Sequence, residues 1–147
     1  MPESDTALDL FEAIAAEQRR LRELLSGKDP SLLAERPPNG QWSVIETVRH
    51  LLFAEQAHLG RFAPGGPQWS PLGLAPTGMQ RKEPFRTMGN AAVANAEDVL
   101  QDWVSVHASA RQLAQADTED VREALRRNLR HLRSHIKGIE RLLRARR

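Results

Sequence analysis

The chain has 147 residues, enough for one domain with a core of its own, and its 40 % hydrophobic and 27 % charged residues suit a water-exposed fold around that core. A net charge of +2 announces no nucleic-acid partner. With no cysteine and no tyrosine, disulfides, thiolate ligands and a cysteine nucleophile are excluded, and any thiol in a reaction has to come from outside the protein.

The acidic start, Met1-Pro2-Glu3-Ser4-Asp5, lacks the basic and apolar regions of a secretory signal, and no apolar run is long enough to cross a bilayer. A soluble, cytoplasmic protein without a membrane partner is expected. The first helix is predicted over residues 6–25, with Leu8, Phe11, Ile14, Ala15, Leu21 and Leu25 recurring at three and four, Ser4 or Asp5 as cap and Gly27 as stop. Asp29-Pro30-Ser31 reads as a cap and first turn of a short extra helix.

The second long helix is predicted over 43–62, opened by a capping box between Ser43 and Glu46 and stopped by Pro64-Gly65-Gly66-Pro67. Residues 63–87 form a long link with little periodicity. At about 3.3 Å per residue it can run back along a 20-residue helix of about 30 Å, so the helices on either side can lie parallel.

A third helix is predicted over 88–116, through Val99, Leu100, Trp103, Val106, Ala110 and Leu113. The fourth is predicted over 118–144, with Val121, Leu125, Leu129, Leu132, Ile136, Ile139 and Leu143 on one stripe. No strand is expected. The whole chain, 1–147, reads as a single all-α domain, a four-helix bundle with its long crossover between the second and third helices. The arginines from 126 onward read as a solvated helix face. No aromatic side chains interleave them to stack on bases, so nucleic acid is not an expected partner.

Chemistry concentrates in the histidines. His131 and His135 lie four apart on the fourth helix, with Cβ atoms about 5–6 Å apart, close enough to share one metal ion. On periodicity a third ligand stays open between His50 and His58 of the second helix. His107 has no partner at helical spacing and reads as a core-edge or surface histidine. Glu46, four before His50, reads first as the capping-box acid, with support of His50 as a second role.

The segment Trp42-Ser43-Val44-Ile45-Glu46-Thr47-Val48-Arg49-His50-Leu51 resembles the W-S-x-x-E-x-x-x-H-L signature of DinB-like (DNA-damage-inducible) proteins, and His131-Leu132-Arg133-Ser134-His135 resembles their H-x-x-x-H. The order of the two motifs and the crossover with Trp69-Ser70-Pro71-Leu72-Gly73-Leu74 agree with that resemblance, which covers essentially the whole chain. It implies an up-down-down-up bundle, a divalent metal such as zinc or nickel, and His50, His131 and His135 as its ligands. It further implies a homodimer and, from characterised relatives, transfer or isomerisation chemistry on bacillithiol, mycothiol or glutathione. Ile136-Lys137-Gly138 after the last ligand, and a chain ending soon after the last helix, depart from that pattern.

The expected function is therefore activation of a low-molecular-weight thiol for attack on an electrophile. Arg130 or Arg133 would hold the thiol's carboxylates. The alternatives are a metal-dependent hydrolase with Glu46 or His58 as base, and a non-catalytic metal-binding or interaction bundle.

Overall fold

A computed structural model describes residues 5–91 and 95–145. They form α1 (Ala7–Leu25), α2 (Pro30–Ala34), α3 (Val44–Leu59), α4 (Phe85–Asn90), α5 (Ala96–Ser109), α6 (Arg111–Ala116) and α7 (Glu119–Ala145), with no strand among the described residues. α1 packs on α7, α7 on α3, α3 on α5, and α5 with α6 on α1, so the long elements close a ring around one core. The protein is all-helical, as expected. No helix is long and apolar enough to cross a membrane among the described residues.

Local chemistry sets the helix starts. Thr6 caps α1, accepting from the Asp9 amide while the Asp9 carboxylate accepts from the Thr6 amide. Thr6 takes this role, rather than Asp5, because Asp9 stands three residues on to complete the box; Ser4 lies outside the described residues. Asp29 caps α2 with Pro30 at its first position. Ser43 and Glu46 form the expected box at α3.

α3 is buried on nearly every side because two kinds of neighbour share it. One face meets α5 and α7; the other holds the crossover. Arg49 donates to the carbonyls of Leu72 (3.0 Å), Gly73 (3.2 Å) and Met88 (2.7 Å). Gln56 donates to the Gln68 carbonyl at 2.7 Å and accepts from the Ser70 amide at 3.0 Å. Between them Phe53 stacks on Trp69 (4.9 Å between centroids), with Phe85 edge-on to both. Arg49, Phe53 and Gln56 stand at i, i+4 and i+7, one stripe of α3. The helix expected to reach residue 62 ends at Leu59 and passes through a 3-10 turn, Gly60–Phe62, into a link that is thus pinned to α3 and has a second 3-10 turn at Thr77–Arg81.

The third predicted helix is not continuous. α4 ends at Asn90, and the carbonyls of Met88 in its last turn and of Ala91, its C-cap, accept from Arg49. Asn95 then starts α5 afresh, its side chain accepting from the amides of Glu97 and Asp98. A second break falls at Ala110, whose amide bonds to the His107 carbonyl three back, while the Ser109 hydroxyl takes the Val106 carbonyl.

Asp117 adopts the left-handed conformation (φ 51°) between α6 and α7, and its carboxylate accepts from the Ala7 amide at 2.8 Å. α7 buries a single stripe from Val121 to Leu143. Its arginines face outward, and several pair with acids: Arg126 with Glu119 and Glu123, Arg133 with Glu17.

Candidate metal centre

Two elements bring three histidines together. His131 and His135, one turn apart on α7, place their Nε2 atoms 3.1 Å from each other. His50 projects from α3 with its ring centroid 5.1 Å from that of His131 and 5.4 Å from that of His135. One ring nitrogen from each lies within 4.8 Å of the others, the single such group of three among the described residues.

The donor set suits a divalent cation. His50 Nδ1 lies 3.2 Å from the Leu74 carbonyl, which only accepts, so Nδ1 carries the proton and Nε2 keeps a lone pair. Bonds of about 2.0–2.1 Å in a tetrahedral site put neighbouring nitrogens about 3.3 Å apart, so the His131–His135 separation already matches one edge. Closing the other edges takes approach of about 1.5 Å or less on the same geometry. His131 Nδ1 is buried without a hydrogen-bond partner among the described residues, leaving Nε2 as the nitrogen engaged at the cluster.

Protonation favours the same use. Burial, then the neighbouring His135, His50 and His58, holds the His131 pKa down to about 4. Burial and His50 lower that of His135. Burial lowers that of His50 as well, against the bond to Leu74. The three imidazoles are therefore neutral at pH 7, the state that binds metal. A metal held by three such nitrogens would keep further coordination positions open, unlike a closed structural site.

His58 stands just outside. Its ring is 5.9 Å from that of His131, and its Nδ1 lies 3.0 Å from Asn128 Oδ1. Geometry thus brings His50, not His58, to the pair. Glu46 carries the capping box and also a bidentate bond from Arg36 at 2.9 and 2.7 Å. Burial raises its pKa, but Arg36 and Ser43 outweigh that and hold the carboxyl low. The partner of His50 is the Leu74 carbonyl rather than Glu46.

His107 is neither at the core edge nor on the surface; it is 2 % exposed. Its Nδ1 is 2.6 Å from Glu55 Oε2 and its Nε2 2.9 Å from the Phe11 carbonyl, with the ring stacked on Phe11 at 4.0 Å. Burial alone would lower its pKa, yet the bond and charge of Glu55 raise it. Glu55 also accepts from Trp103 Nε1 and Asn128 Nδ2, both at 3.1 Å. A continuous polar chain therefore runs His107–Glu55–Asn128–His58 to the edge of the histidine cluster.

Sequence reasoning did not find Glu55 or Arg49. The available signal was an acid at the end of the apolar run Leu51-Leu52-Phe53-Ala54 and a histidine four after Trp103 on an apolar stripe. Arg133, one expected thiol contact, reaches Glu17 on α1 at 3.2 Å.

Fold and site together define an all-helical protein with a three-histidine group, able to hold a metal ion, between two helices. The family model that matches the chain, over residues 13–139, is that of the DinB superfamily, and the chain belongs to that superfamily. No curated protein and no solved structure matches the chain significantly.

Proposed function

We propose that this protein holds one zinc or nickel ion on His50, His131 and His135 and transfers a low-molecular-weight thiol to an electrophile. The observation that carries this reading is the convergence of three neutral imidazoles with no fourth ligand grouped with them among the described residues. A bound divalent ion would supply the Lewis acidity that lowers the pKa of a thiol at its open side. In the transfer the thiol sulfur bonds to the electrophilic carbon, the leaving group departs with its bonding pair, and the thiol proton is released.

The chain's own residues supply orientation and a proton acceptor. Asn128 donates through Nδ2 to Glu55, so its Oδ1 accepts from His58 Nδ1. That fixes the His58 tautomer and leaves Nε2 as a base beside the cluster. Hydrolysis would have to use His58 rather than Glu46 as its base, because Glu46 is engaged by Ser43 and Arg36.

An up-down-down-up order of α1, α3, α5 and α7 belongs to the same reading, supported by the crossover between the neighbouring helices α3 and α5. So do a homodimer and a cytoplasmic location, where small thiols are kept reduced.

The test is conjugation of glutathione, bacillithiol or mycothiol to a chromogenic aryl halide by untagged protein. The rate should depend on added zinc or nickel and vanish with chelator and in His50→Ala. Equal rates with and without chelator would contradict the proposal.

A further inference from the structure

Beside His135 the surface of α7 opens into a cleft of about 330 Å³. His135, Gly138, Ile139 and Leu142 line it from one helix face at i, i+3, i+4 and i+7, and Trp42 and Thr47 close it from the start of α3. Trp42 also tilts over His50, with centroids 5.1 Å apart, so a single ring spans the centre and the cleft.

Gly138 is the informative residue. It lies well inside a 27-residue helix, where glycine is a poor choice. Yet apart from its chain neighbours and its own helix backbone, no atom of the described residues lies within 4 Å of the place its Cβ would take. Nothing in the described fold therefore requires the missing side chain, and the open space faces the cleft. That leaves room over Gly138 for an occupant from outside the chain.

The lining states what kind of occupant. It contains no Asp, Glu, Lys or Arg. A charged group placed there would give up part of its hydration and meet no counter-charge in the lining, with Gln41 the one amide side chain available to it. The Thr47 hydroxyl donates to the Ser43 carbonyl at 3.0 Å, so toward the cleft it can only accept. For size, an apolar cavity of about 150 Å³ takes benzene in another protein, and this cleft has roughly twice that volume.

We propose that the cleft binds the uncharged aromatic body of the electrophile, its ring against Trp42 and over Gly138, with the reacting carbon toward the three histidines. This rests on the thiol-transfer reading above and adds the substrate class. It is separable from that reading, because ring binding can be measured without metal and without turnover.

The probe is 4-nitrobenzyl alcohol, a neutral nitroaromatic that quenches tryptophan on contact, titrated into metal-free and zinc-loaded protein. Wild type should show saturable quenching that disappears in Trp42→Phe, with Trp69 and Trp103 as internal controls. Gly138→Leu should weaken it at least about tenfold, and Gly138→Ala less, while zinc affinity by calorimetry stays within about threefold. The charged analogue 4-nitrobenzoate should bind at least about tenfold more weakly than the alcohol.

Quenching that survives Trp42→Phe, is unchanged in Gly138→Leu, or is as strong with the benzoate would overturn the proposal. So would a Gly138→Leu variant that alters the oligomeric state but not ring binding, which would make a second copy the occupant. Ring binding in this pattern without zinc binding would support the cleft and sink the metal reading; zinc binding without it would do the reverse.

Discussion

Replacing His107 by leucine tests the polar chain that runs from the core to the histidine cluster. The side chains of His107 and Glu55 are 3 % and 1 % exposed, so removing one leaves the other with no route to water. Both His107 nitrogens face acceptors, the Glu55 carboxylate and the Phe11 carbonyl. Breaking a buried pair of this kind costs about 3–5 kcal/mol, chiefly the burden of an uncompensated charge. For a chain of this length that corresponds to a melting temperature lower by roughly 10 °C. Leucine fills similar space, so a cavity adds little. Glu55→Leu should also destabilise, because it leaves Trp103 Nε1 and Asn128 Nδ2 without an acceptor. The double variant should then fall about 2 kcal/mol or more short of the sum of the singles.

The pH dependence carries a definite sign. The folded-state pKa of His107 is raised, so its stabilisation is complete below the ordinary value of about 6.5 and is lost as pH rises through the raised value. Urea unfolding followed by circular dichroism between pH 6 and 9 measures these free energies and their pH dependence, and a thermal melt gives the melting temperature. The wild type should lose stability toward alkaline pH by a step that His107→Leu lacks. A single-variant cost below about 1 kcal/mol, or strictly additive singles, would refute the buried pair.

The histidine cluster should behave in the opposite sense. With the His131 pKa held down to about 4, the metal-free protein should keep this contribution above about pH 6.5 and lose it as pH falls toward 4, with an imidazole titration by NMR near the lower value. Glu46→Ala should cost about 1 kcal/mol or somewhat more through the lost α3 cap, with zinc affinity by calorimetry nearly unchanged. A large loss of affinity would instead give Glu46 a place at the centre. Arg49→Lys should loosen the crossover, because an ammonium cannot reach the Leu72, Gly73 and Met88 carbonyls together. Hydrogen exchange should quicken over residues 70–91, and unchanged protection there would show that the crossover is held by other contacts.

Most of the helices were legible because their signals are local. The Ser43–Glu46 box, the Asp29-Pro30 start and the long stripe of α7 each lie within a few residues of one another, and each appears as expected. The breaks after Asn90 and at Ala110 were not legible. Competing side chains make them, one of which, Arg49, belongs to another helix.

The site divides in the same way. His131 and His135 are joined by helical spacing alone. His50 and His58 are eight residues apart, about 80° around the α3 axis at 3.6 residues per turn, so periodicity could not choose between them. The rotation of α3 decides it, and that is set by Arg49, Phe53 and Gln56 gripping the crossover. The Glu55–His107 pair was invisible for a related reason: each partner alone looks like a lapse in an apolar stripe, and only the packing of α3 on α5 brings them together.

The measurement that bears most directly on the centre is the metal stoichiometry and affinity of untagged protein, titrated with zinc and nickel by calorimetry. Wild type should bind one ion per chain. His50→Ala, His131→Ala and His135→Ala should each weaken binding by about tenfold or more, while His58→Ala should not. Binding undiminished in His50→Ala, or no stoichiometric binding in wild type, would contradict a three-histidine centre.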